Sequence, residues 1–128
     1  MFNLTPDTWG YLIGGVLLVH GLGHSGGYWF FDRSWLLPAA GDGVLRWACI
    51  ALWLVAMAGF AGAGAGVLAH KEWWRTLAVT MAVISLPVAV LFLGGTAASN
   101  KAACVVVDVA VLVGLLLAHW PSAEVVGS

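Results

Sequence analysis

The sequence predicts an all-α protein: a bundle of four transmembrane helices in a single domain, residues 1–128, with both termini on the same side of the bilayer. Three observations predict it. Hydrophobic residues make up 62% of the chain and charged residues 9%, whereas a soluble domain carries about a quarter charged residues, and mean hydropathy is +0.97. Four apolar runs, 9–31, 44–69, 73–98 and 102–120, approach or exceed the ~20 residues needed to cross a hydrocarbon core. Seven of the 8 tryptophans (Trp9, Trp29, Trp35, Trp47, Trp73, Trp74, Trp120) fall near run ends, as in the aromatic belts of bilayer proteins. The setting expected is a cell membrane. The partners are the lipid bilayer and a second copy or a larger membrane complex. Net charge is −1 and there is no basic run, so nucleic acid is not a partner.

Thr5, Pro6 and Asp7 read as a helix start, with Thr5 as N-cap and Pro6 in the first turn. Asp7 precedes the first apolar run with no basic lead, so no cleaved signal peptide is expected. The Gly-rich second half of the first span predicts a kink or local unwinding. Asp32–Gly43 forms an interfacial loop, long enough for a lid or a short surface helix. In the second span, Gly62 and Gly66 form a GxxxG pair, a close-packing face for another helix. His70-Lys71-Glu72 reads as a tight turn. Pro87 in the third span predicts a kink near Val83, with Ser85 and Thr80 available to the freed backbone groups. Ser99-Asn100-Lys101 reads as the next turn. Ala110, Gly114 and Ala118 give the fourth span a second small-residue face. Pro121 stops that span and leaves a frayed tail. The side holding the termini carries Lys71 and Arg75, against Arg33, Arg46 and Lys101 opposite, a slight bias toward termini outside.

The deepest polarity lies in His20-Gly21-Leu22-Gly23-His24, where two histidines four residues apart share a helix face. Counting ~1.5 Å per residue from Trp9 puts His20 ~16 Å and His24 ~22 Å into a core ~30 Å thick. The fourth span runs the opposite way, and Asp108 arrives ~21 Å from the first face. Cys104 lies one turn from Asp108 on the same face, and Cys49 lies ~5 Å in from the second face. A carboxylate inside a span costs a few kcal/mol, so it faces the bundle interior with a partner. The expected cluster is therefore His20, His24, Asp108 and Cys104, with the first and fourth helices as neighbours. A structural hydrogen bond between helices and inert core cysteines are the plain alternatives.

Three functions fit such a cluster. The first is a metal or redox site: His at i and i+4 can chelate Zn²⁺ or Cu, with Asp108 and Cys104 completing the ligands. No Glu stands between the histidines, which disfavours a metalloprotease. A single-histidine haem, or a quinone hydrogen-bonded to His20 or His24, fits the same position. The second is a proton-coupled small-molecule transporter, since an embedded Asp beside His equips a proton relay. The third is a non-catalytic membrane subunit or scaffold, its Gly and Ala faces serving assembly alone. Whether the chain is an enzyme is left open.

At His20-Gly21 the chain resembles the DoxX-like membrane proteins, four-helix chains with a His-Gly late in the first span. The resemblance covers most of the chain in layout, including the Gly-rich second span (Gly59, Gly62, Gly64, Gly66), a short turn and Arg75. The family usually carries Lys a few residues after the His-Gly, where this chain has His24. Some members are tied to quinone-linked oxidation of sulfur compounds, so the resemblance implies a respiratory or redox neighbourhood.

Overall fold

A computed structural model describes residues 4–29, 43–92 and 98–126, with side chains for all of these except 24–29, 92 and 98–100. The loop expected over Asp32–Gly43 lies, but for Gly43, outside the described residues, as does the side chain of His24. All regular structure described is helical. Helix α1 spans Pro6–Trp29, α2 Val44–Leu68, α3 Trp74–Phe92 and α4 Ala98–Leu112. A π-helical turn, Val113–Leu117, extends α4, and a one-turn helix, α5, covers Ala123–Val126. Segments Val44–Leu68 and Trp74–Leu91, with mean hydropathy 1.9 and 1.7, are long and apolar enough to cross a membrane.

Thr5 starts α1: its Oγ1 accepts from Thr8 N at 3.3 Å and its carbonyl from Trp9 N at 3.0 Å. The helix stays regular through its glycine-rich half, where Gly21 serves packing. A Cβ on Gly21 would lie 2.7 Å from Ala61 N and 2.8 Å from Met57 O of α2, and one on Gly64 would lie 2.7 Å from Gly14 O. The α1 and α2 backbones thus touch where only hydrogen atoms fit between them. Gly62 and Gly66 occupy the other side of α2 and meet α3, at Leu77 and at Trp73 and Trp74. Helix α2 lies between α1 and α3, and α4 packs against α3.

Helix α2 ends in a Schellman motif. His70 takes the left-handed position, φ 52°, with Lys71 N bonded to Gly66 O at 2.9 Å and His70 N to Val67 O at 3.0 Å. Helix α3 runs unbroken through Pro87. Thr80 Oγ1 donates to Thr76 O at 2.7 Å, its own i−4 carbonyl, and not to Val83 O, while Ser85 Oγ lies within reach of Cys104 on α4. The turn expected at Ser99–Lys101 is instead the first turn of α4, and Lys101 Nζ donates to Val90 O at 3.1 Å. That bond gives a side-chain donor to a carbonyl in the last described turn of α3.

The small-residue face of α4 does not make the expected close approach. Ala110 and Ala118 are exposed, and a Cβ on Gly114 would meet only Trp120 O, at 3.4 Å. The π turn rotates the helix end, and the chain then doubles back at His119 (φ 49°). Through Val126, the last described residue, the tail is packed rather than frayed. Val126 is fully buried in the core with Leu17, Phe60 and Trp74. Its carbonyl accepts from His70 Nδ1 at 3.2 Å, and Pro121 O accepts from Arg75 Nη1. Two apolar residues, Val125 and Val126, and two waiting donors outweigh the tail's chain entropy.

Candidate functional site

One buried polar group ties α1, α3 and α4 together. His20 Nε2 lies 2.8 Å from Asp108 Oδ1, with the His20 side chain 8% exposed and Asp108 fully buried. With Asp108 as carboxylate, the ring N–H donates, since the carboxylate can only accept. Cys104 Sγ donates to Asp108 Oδ2 at 3.8 Å, and Ser85 Oγ lies 3.8 Å from Cys104 Sγ. The sequence sets this up locally: Cys104 and Asp108 are one helical turn apart and share a face. Phe60 closes one side, its ring edge-on to the His20 imidazole at 4.6 Å between centroids. On this side is water-poor packing, where a polar contact gains strength and an unmet group costs more.

The structure therefore brings together His20, Asp108 and Cys104 of the four expected ligands. Both cysteines carry free thiols, and Cys49 lies in a second apolar cluster with Trp53, Val88 and Cys104. His70 and His119 stand at the opposite end of the fold from the α2 N-terminus, one bonded to the tail and one exposed. Ser85 is the member that sequence reasoning did not connect to the cluster, having read it only as a partner for backbone groups near Pro87. The signal was available: counting from Trp74 places Ser85 ~17 Å along α3, level with His20.

The donor set suits a metal ion. The ligand atoms of His20, Cys104 and Asp108 lie within 4.8 Å of one another. Around a tetrahedral Zn²⁺, with bonds of ~2.1 Å to N or O and ~2.3 Å to S, neighbouring ligands stand ~3.4–3.6 Å apart. The 3.8 Å between Cys104 and Asp108 is near that spacing. The 2.8 Å between His20 and Asp108 is a hydrogen-bond distance, and this pair must open by ~0.6 Å to admit the ion. Three protein ligands would leave a fourth position for an exchangeable group. Comparison with family models, curated proteins and solved structures finds no match to this chain.

Proposed function

We propose that this chain is a four-span integral membrane protein whose buried site at His20, Asp108 and Cys104 holds one metal ion, Zn²⁺ in a structural or Lewis-acid role or Cu in a redox role. The observation that carries the reading is the convergence of an imidazole, a carboxylate and a thiol from α1 and α4. Membrane residence is supported by the two long apolar helices and by the apolar side chains facing outward: Val19 is 70% exposed, Val44 86% and Leu117 76%. Soluble monomers rarely expose apolar patches on that scale. In the four-span arrangement α1, and α4 with its π turn, are the other two spans. Both termini then share a side, the outer one by the slight charge bias.

Metal analysis of detergent-purified protein tests the reading. Near-equimolar Zn or Cu, lost in Asp108→Asn and in Cys104→Ala, is the expected result. Parent protein that retains no metal and takes up no Co²⁺ would overturn it. Single-cysteine labelling at Asn3 and Ser128, in a background lacking Cys49 and Cys104, tests the topology; labelling from opposite sides would exclude it.

A specific observation supports a proton relay as the second reading. The direct 2.8 Å contact between His20 and Asp108 is the arrangement in which one proton is shared between two titratable groups. Proton-coupled flux in liposomes, absent in Asp108→Asn, with no bound metal in the parent, would favour that transporter role.

A further inference from the structure

Helix α3 reaches the group formed by His20, Asp108 and Cys104 through Ser85. This serine is 1% exposed, and its Oγ lies 3.8 Å from Cys104 Sγ of α4. We propose that Ser85 is a positioning residue of the metal site, its hydroxyl donating to the Cys104 sulfur when that sulfur holds the ion. The inference rests on the metal reading above and adds the third helix to the site.

The direction of the bond follows from the protons available. A thiol and a hydroxyl each carry one, so either atom could donate while Cys104 keeps its proton. The ligand form of cysteine is the thiolate, which has none. On an ion, Cys104 Sγ only accepts, and Ser85 meets it only as the donor. The hydroxyl oxygen also accepts through its lone pairs, so a further partner on that oxygen is compatible with this role. The neighbouring contact changes at the same time. Cys104 Sγ donates to Asp108 Oδ2 at 3.8 Å, a bond that is lost with the proton as both side chains become ligands. The Ser85 contact survives with its direction set. Its 3.8 Å is long, and a charged acceptor shortens such a bond and makes it roughly twice as strong.

The consequences are positional and electronic. The ligand atoms come from α1 and α4, and α3 packs against α4. A bond from α3 holds the Cys104 side chain from a second helix, so its sulfur is oriented before the ion arrives. A donor on the sulfur also draws charge off it. The sulfur then gives less charge to the metal, and sulfur-to-metal charge transfer needs more energy. Hydrogen bonding around a cysteine sulfur is one of the levers that tune a bound metal. Space filling alone does not account for a serine here. Alanine fills nearly the same volume and is the better helix former, whereas a buried hydroxyl needs a polar neighbour. The structure places Cys104 beside it.

Titration of the detergent-purified protein with Co²⁺ tests this, read by the sulfur-to-Co²⁺ charge-transfer band in the near ultraviolet. The parent is expected to show the band. Ser85→Ala should move it to longer wavelength and weaken Co²⁺ binding about tenfold, the low end of the loss when a ligand's outer partner is removed. Alanine keeps the helix, so the variant should fold, and thermal melts of both metal-free proteins check it. The band decides. A band that stays in place, or moves to shorter wavelength, overturns the proposal, and a lowered melt beside an unmoved band makes Ser85 a packing residue. Complete loss of Co²⁺ binding in a variant that melts like the parent also overturns it, since Ser85 would then be a ligand itself. A parent that takes up no Co²⁺ overturns the metal reading and this inference with it. An unmoved band in a variant that still binds Co²⁺ sinks this inference alone.

Discussion

The contact between His20 and Asp108 makes a sharp energetic prediction, because both groups are buried and each is the other's partner at 2.8 Å. Consider His20→Phe, which keeps a ring against Phe60, and Asp108→Leu, which roughly keeps volume. Asp108→Leu takes away the acceptor that His20 Nε2 faces, at about 1–3 kcal/mol. His20→Phe leaves a buried carboxyl with only the weak Cys104 thiol as donor, a loss of similar size or more if it keeps its charge. Taking ~2 kcal/mol for each, independent sites would lose ~4 kcal/mol together. Removing both members at once leaves neither facing the loss of the other, so the double variant should lose little more than the worse single. The coupling is then ~1.5–2 kcal/mol, at or just above the top of the range measured between membrane helices. Reversible unfolding in mixed micelles, with all four proteins in one detergent, measures it. Single losses that add within ~0.5 kcal/mol would refute the reasoning, showing that the two groups meet water or other partners.

Other substitutions probe the packing. Gly21→Ala should destabilise by ~1–3 kcal/mol, since its Cβ would overlap the α2 backbone. Gly23→Ala, with nothing within 4 Å, should be neutral or stabilise by up to ~1 kcal/mol through helix propensity; equal effects in thermal melts would contradict the α1–α2 contact. His119→Gly should raise stability by up to ~1 kcal/mol, because an exposed histidine at φ 49° carries a steric cost that glycine lacks. Val126→Asp should release the C-terminal segment, read as new protease cleavage after Pro121, since a fully buried position cannot hold a lone carboxylate. An unchanged digestion pattern would mean that the segment is not docked.

Much of the helical layout was legible in the chain. Long apolar runs, tryptophans at their ends and polar turns between them are local signals, and helices are held by local hydrogen bonds. Helical rise alone put Asp108 at the level of the histidines, beside His24 and ~5 Å deeper than His20, and the four-residue step put Cys104 beside Asp108. Rise gives depth but not azimuth, so which faces meet was a tertiary matter. That is why Ser85, read only as a partner for nearby backbone, also comes within reach of Cys104, and why the helix that Gly62 and Gly66 meet, the one after the turn, could be named only from the fold, as could the α1–α2 approach at Gly21 and Gly64. A small residue permits close packing on any side, and only the partner helix chooses the side. The same limit applied at the C-terminus. Seven residues after a proline read as a tail by composition, yet Val126 is buried because distant donors on His70 and Arg75 wait where the chain doubles back. Those donors lie about fifty residues away in sequence, beyond the reach of any periodicity, and only the folded backbone brings them to the tail.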